Sequence, residues 1–311
     1  MLIIVTGIAL TAVRQHTVKV DRPIAFDVPY AALQRALEAD IASQHQAVPI
    51  NWVDLLACLA ANCHGDFSRY RDSDLDALVS ALQAGSGLDR LTESSSDFAY
   101  YRKIYGTVLD GLVGFKEDTT HDNSTAPSSY GLKAYFPLAA DVSYEHYDDF
   151  GDERTYGYVR PHLGHDLLCA AGTPVIAIEE GLIEAIGWNR YGGWRIGIRS
   201  LDGQRYYYYA HLQQDHPYHV RCRQGTLIHA GEVIGYVGRT GYSDIENVSN
   251  ISVPHLHIGL ELIFDEQERA AGHEIWVDLY PLITLLAQHQ TEVHWNSTCH
   301  EFDSSLSFLS G

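Results

Sequence analysis

Residues 192–212, GGWRIGIRSLDGQRYYYYAHL, decide how the chain is read. They are short runs of β-branched and aromatic residues punctuated by glycine, the signature of strands joined by turns. A period of two within the tyrosine run puts Tyr207, Tyr209 and His211 on one face of a strand and Tyr206 and Tyr208 on the other. The same texture recurs upstream in TPVIAIEEG (173–181) and downstream in GEVIGYVGRTG (231–241), so this half of the chain reads as mostly strand. Gly172-Thr173-Pro174-Val175 and Gly225-Thr226-Leu227-Ile228 open two similar glycine-punctuated units, the mark of a diverged internal repeat.

The first third has a different period. After Asp27, read as an N-cap with Pro29 in the first turn, Leu33, Leu37 and Ile41 recur every four residues and form an apolar helical stripe. Asn51 precedes Trp52, Leu55, Leu56 and Leu59, and Ser73 precedes Leu75, Leu78, Val79 and Leu82, each on helical spacing. Asp97 leads into a longer apolar face running from Phe98 through Tyr101, Ile104, Tyr105, Val108 and Leu112 to Phe115, suited to closing a small bundle. No catalytic constellation occurs here, so this part is expected to be an accessory or docking module. Lys116–Tyr130 (KEDTTHDNSTAPSSY) turns polar and aperiodic, as a linker does. After Gln290 the periodicity is lost again, and the tail is expected to extend along the surface. The predicted class is α+β: a helical domain over 1–118, a linker over 119–130, a mostly antiparallel β domain over 131–290 and a tail over 291–311.

Composition narrows the function classes. At 311 residues the chain is long enough for two domains and a sizeable core. Forty acidic residues against 21 basic ones give a formal charge of −19, which opposes binding to nucleic acid or to an anionic membrane surface. Five cysteines, odd in number and without C-x-x-C spacing, argue against both a disulfide scaffold and a structural zinc knuckle. Residues 2–12 (LIIVTGIALTA) have the length of a signal-peptide core but lack a basic residue before them and a clear cleavage site after them. No segment supplies the roughly 18 apolar residues a spanning helix needs.

Chemistry is concentrated in three pieces: RPHLGHD (160–166), YYYYAHL (206–212) and PHLHIG (254–259). On a strand, His255 and His257 point the same way, and either or both can reach one metal ion. A lone H-x-H pair is more often a solvated strand face. His162 and Asp166 stand four apart, but Pro161 and Gly164 exclude a helix interior, so a loop entering a strand must bring them together. An imidazole, a carboxylate and a remote imidazole make a three-ligand set that leaves a fourth position open. His165 is a competing ligand that spacing does not exclude. His211, alone, is more often a packed side chain than a catalyst.

In order, R-x-H-x-G-x-D, G-T-P-V, Y-x-H-L, G-x-x-I-G-x-x-G-x-T-G and P-H-L-H closely resemble the lysostaphin and LytM-like zinc endopeptidases, over roughly Gly131 to Leu262. The resemblance implies a lysostaphin-type, duplicated-hybrid-motif-like antiparallel sheet with a metal at the floor of a long groove. It makes His162, Asp166 and His257 the Zn2+ ligands and His211 and His255 the catalytic histidines. The wall segments it implies are Gly187–Gly193, Gln213–Gln224 and Tyr242–Val253, with Tyr156, Tyr209 and Trp194 as candidate groove contacts, though Trp194 is equally a core candidate. The stretch Gly241–Pro254 is longer than the turn many members place before their H-x-H. The implied activity is hydrolysis of peptidoglycan stem or cross-bridge peptides, in the cell envelope or outside the cell, with a protein partner for the helical part. The rivals are a non-hydrolytic binding or regulatory module of the same fold and a peptidase acting on glycine-rich proteins.

Overall fold

A computed structural model describes residues 24–92, 97–116 and 129–306. The apolar stretch at 2–12 and residues 119–128 of the expected linker lie outside the described residues. Helices come first: α1 (Tyr30–Ser43), α2 (Trp52–Cys63), α3 (Asp72–Gln83), α4 (Leu88–Thr92) and α5 (Phe98–Leu109). Asn51 caps α2 as expected, its side chain accepting from the N–H groups of Val53 and Asp54 at 2.9 and 3.1 Å. α1 starts later than Asp27 predicts, because Val28 precedes Pro29 and is disfavoured from the helical region. α5 ends before Leu112 and Phe115, since Gly111, at φ +87°, turns the chain into β1 (Val113–Phe115).

The remainder is mostly strand: β2 (Tyr130–Leu132), β3 (Tyr144–His146), β4 (Glu153–Tyr156), β5 (Tyr158–Pro161), β6 (His165–Cys169), β7 (Pro174–Ile176), β8 (Gly181–Asn189), β9 (Gly193–Ser200), β10 (Arg205–Ala210), β11 (Leu227–Ile228), β12 (Val233–Tyr236) and β13 (His255–Leu262). α6 (Glu266–Ala270), β14 (Ile275–Val277), α7 (Tyr280–Leu286), β15 (Val293–Asn296) and β16 (Glu301–Ser304) complete the chain. Helices followed by antiparallel strands make the chain α+β, as expected. The main sheet runs β11-β8-β9-β10-β13-β6-β3, with β14 also paired to β13.

Alternation gives this sheet two unlike faces. Tyr207, Tyr209, Leu256, Ile258, Leu260 and Leu167 are all buried in the core. The cross-strand pairs Tyr208↔Gly259, Ala210↔His257 and His257↔Asp166 lie on the other face. The two glycine-punctuated units interlock reciprocally: β7 of the first pairs with β12 of the second, and β11 of the second pairs with β8 of the first. That exchange gives the repeat seen in the sequence a structural counterpart.

One buried core runs from Phe26, Leu33 and Trp52 to Ile198, Tyr209 and Leu286. Arg205, only 1% exposed, links sheet to helices: it donates to Glu179 Oε2 at 2.7 Å and to the Thr107 carbonyl at 2.8 Å. The tail beyond Gln290, expected to extend along the surface, instead folds into the β15–β16 hairpin. Glu301, 2% exposed, anchors that hairpin by accepting from Val220 N–H at 3.1 Å and from the Tyr236 hydroxyl. Its strands are too short and too mixed for a legible period.

Candidate metal centre

β13 lies between β10 and β6, and its register sets His257 directly opposite Asp166. The next pair, Ile258↔His165, faces the core, so alternation alone removes His165 from the set around Asp166. His165 is fully buried, with Nε2 2.9 Å from Asp278 Oδ1. His162 reaches the site from the β4–β5 hairpin, where its N–H donates to the Asp152 carbonyl at 2.8 Å. Gly164 is required by space: a Cβ there would stand 2.6 Å from the Ile258 carbonyl oxygen and 2.7 Å from the His257 ring.

Three donor atoms converge. His162 Nε2 is 2.8 Å from His257 Nδ1 and 3.1 Å from Asp166 Oδ1, and His257 Nδ1 is 3.2 Å from the same oxygen. A tetrahedral ion bound at about 2.0–2.1 Å would hold its ligand atoms roughly 3.3 Å apart, so the triangle needs to open by only a few tenths of an ångström. Two neutral nitrogens and one carboxylate suit zinc, and the fit is good.

Burial disfavours charge on His162, but Asp149 and Asp166 outweigh it and lift its pKa to about 9. Burial likewise opposes ionisation of Asp166, yet its contacts with His162 and His257 hold the carboxyl far below the usual range. His257 is pushed below its ordinary value by burial, against the pull of Asp166.

The ring orientations are fixed from behind. His162 Nδ1 lies 3.0 Å from the Asp149 carbonyl oxygen and 3.2 Å from Asp149 Oδ2, so its proton sits there and Nε2 faces the centre. Arg154 donates to Asp149 at 2.6 Å and to Asp166 Oδ2 at 3.3 Å. Sequence reasoning missed both residues. Asp149 stands in a run of acidic and aromatic residues without period, and Arg154 is separated from the motif by the hairpin turn.

His211 donates from Nδ1 to the Thr240 carbonyl at 2.9 Å, and its ring lies 4.8 Å from His255 and 5.8 Å from His257. Burial, with His255 and His257 nearby, holds its pKa well below the ordinary value. Its φ is +61°, so it stands just beyond the end of β10 in a left-handed conformation. His255 donates from Nδ1 to the Val253 carbonyl at 2.9 Å, with Nε2 3.7 Å from Asp166 Oδ1. The structure thus gathers His162, Asp166, His257, His211 and His255 in one place.

A cleft of about 680 Å³ opens over this centre. Tyr158, Arg160, Tyr191 and Tyr242 wall one side, Leu163 and Trp276 also line it, and Tyr208 belongs to the sheet face beneath. Tyr209 is a correction: it is fully buried, and its hydroxyl accepts from Ile178 N–H at 2.9 Å, so it packs the core and does not line the cleft. The parity that grouped it with His211 breaks where His211 leaves the strand, and half-buried Tyr208 faces the cleft instead. Tyr156 stands behind the wall, its ring 5.1 Å from Tyr242 and 6.1 Å from Tyr191. Trp194 is held by the long 241–254 segment, its Nε1 donating to Asn247 at 2.9 Å. Of the expected wall segments, 187–193 and 242–253 contribute lining residues and Gln213–Gln224 does not, while the β4–β5 hairpin and β14 do.

Residues 160–269 match the family model described as peptidase family M23. The L-Ala–D-Glu endopeptidase of Bacillus subtilis is 33% identical over 176 residues, covering 52% of this chain and 52% of that protein. Lysostaphin of Staphylococcus simulans is 40% identical over 97 residues, covering 31% of this chain and 17% of that protein. The chain therefore spans about half the length of the first relative and under a fifth of the second. A lytM chain of Ruminococcus gnavus, described as a candidate glycyl-glycine endopeptidase, superposes with a TM-score of 0.53 at 23% identity over 83% of this chain and 91% of that one. That likeness bears on the fold alone.

Proposed function

We propose, from the premise that the chain carries a domain of peptidase family M23, that it is a zinc endopeptidase hydrolysing stem or cross-bridge peptides of bacterial peptidoglycan. The observation that carries this reading is the triangle of His162 Nε2, His257 Nδ1 and Asp166 Oδ1 with two further imidazoles turned toward it. The names of these relatives, an L-Ala–D-Glu endopeptidase and lysostaphin, together with the motifs' resemblance to the lysostaphin family, support the substrate class. They also support a location in the envelope or outside the cell.

His162, Asp166 and His257 would hold the ion, with Asp149 and Arg154 fixing their orientation. Zinc, when bound, supplies a Lewis acid for the scissile carbonyl and lowers the pKa of water. His211 and His255 both spend Nδ1–H on backbone carbonyls, which leaves Nε2 of each as an acceptor, His211 lining the cleft and His255 with its Nε2 3.7 Å from Asp166 Oδ1. An acceptor so placed takes the proton of an attacking water and returns it to the leaving amine. Burial keeps His211 neutral and ready to accept. The reading keeps residues 131–290 as the catalytic unit and 1–118 as an accessory unit for a protein partner.

The test is digestion of purified peptidoglycan, with new amine and carboxyl termini read by mass spectrometry in untreated, chelator-treated and zinc-restored samples. New termini that vanish with chelator and return with zinc are expected. Intact peptidoglycan from zinc-loaded protein would overturn the proposal in favour of a binding module.

A further inference from the structure

The β4–β5 hairpin carries a pair that charge alone disfavours: Arg154 and Arg160 stand directly opposite each other in its register. Like charges opposed across strands destabilise a hairpin. Arg154 is compensated by Asp149 and Asp166. Arg160 is not, for among the described residues no carboxylate lies within 4.0 Å of its guanidinium. That guanidinium lines the cleft, 4.8 Å from the Tyr191 ring centroid and 5.5 Å from that of Tyr242. Its Nη2 donates to the Tyr242 hydroxyl at 3.3 Å, and its Nη1 is buried without a hydrogen-bond partner among the described residues. Arg160 is thus a planar donor held between aromatic rings, with most of its five N–H groups unspent.

In a chain of net charge −19, an anionic ligand entering the cleft needs local positive charge to overcome general repulsion. A carboxylate matches the guanidinium fork and would relieve the opposed pair. Arg160 also precedes His162 by two residues on an extended segment, which puts the two about 7 Å apart along the chain. We propose that Arg160 binds a substrate carboxylate within about one residue of the scissile bond, so that the preferred substrate is an acidic stem peptide and not a neutral oligoglycine. The inference rests on the endopeptidase reading and specifies its substrate.

The test uses the whole zinc-loaded chain with synthetic stem peptides of L-alanine, D-glutamate, L-lysine and D-alanine. One has all carboxylates free, one is amidated at the glutamate, one is amidated at the C-terminus, and pentaglycine serves as the neutral comparison. Cleavage of the free peptide is expected, with a KM roughly 10- to 100-fold below that of whichever amidated form removes the bound carboxylate, the range of a charge-assisted hydrogen-bond pair. The two amidated forms tell a side-chain carboxylate from a terminal one. R160Q is expected to erase the preference by raising KM for the free peptide, and R160K to keep part of it. A wild-type enzyme that cuts free and amidated peptides alike, or an R160Q or R160K protein that discriminates as the wild type does, overturns the inference and leaves the endopeptidase intact. Failure of the wild type to cut any of these peptides or peptidoglycan overturns the endopeptidase reading and this inference with it.

Discussion

β6 carries two histidine–carboxylate clusters one residue apart, on opposite faces of the sheet. On the cleft face, His162, Asp166 and His257 bring three donor atoms within 3.2 Å of one another; on the other side, buried His165 stands with Asp278 and the exposed Asp148 in a looser group within 4.8 Å. Donor geometry already favours the first, since Asp278 alone of the second group's carboxylates comes within 4.0 Å of the His165 ring nitrogens. What also differs is where the spare valences go. His165 sits 2.9 Å from Asp278 and accepts from Leu279 N–H at 3.1 Å, both at Nε2, while its Nδ1 faces the Tyr147 carbonyl at 3.4 Å. Its ring is already used as a fastener between segments. His162 is held from behind through Nδ1, and its Nε2 meets only the other two donor atoms, Asp166 Oδ1 at 3.1 Å and His257 Nδ1 at 2.8 Å, in a cleft a substrate can enter. A cluster becomes a candidate centre when the groups behind it are hydrogen-bonded and its own donor atoms meet where a ligand can reach them.

The sharpest way to break that contrast is Asp166→Ala. Zinc titration of the wild type should saturate at one ion per chain, and the variant should lose the ion and all hydrolysis together, as read by metal analysis and peptidoglycan digestion. A second ion bound by the wild type would mean that the core-side cluster is not a fastener. His211→Ala should keep the ion and lose about 10²–10⁴-fold in turnover; full activity would remove this residue from the mechanism. Asp149→Asn should weaken zinc binding about 10–100-fold in chelator competition while the fold persists, because the support of His162 is damaged and its ligand atom is not. An unchanged affinity would make Asp149 a packing residue only.

The smallest effect is one of pH. In the metal-free protein His162 is raised to about 9, so near neutral pH it carries a proton that zinc must displace. Apparent affinity should therefore rise about tenfold per pH unit toward pH 9 and level off above it. Calorimetry in buffers of different ionisation heat should register proton release at pH 7.5, and equal heats in all buffers would contradict it.

The sequence carried the parts of this arrangement that follow from period and spacing. A period of two put His255 and His257 on one face, and the Pro161 and Gly164 breaks marked a loop carrying His162 toward Asp166. The helix starting at Asn51 was readable because its cap is local. Tyr209 was misplaced because a positive φ at His211 interrupts the alternation, and no neighbouring residue announces it. Asp149 and the β14 wall were invisible for another reason: their positions depend on segments joined only by tertiary pairing. The β15–β16 hairpin escaped likewise, its anchoring Glu301 being an acidic residue that no burial pattern would select.

His211 can also be considered as heritable material. A histidine at φ +61° costs on the order of 1 kcal/mol that glycine would not, so the backbone at this position opposes the side chain the chemistry requires. Stability and activity pull this codon in opposite directions. In a lineage released from the need to cut, both relaxed selection and the gain in stability favour replacement of this histidine, so it is expected to disappear early while the strand-borne His257 lingers.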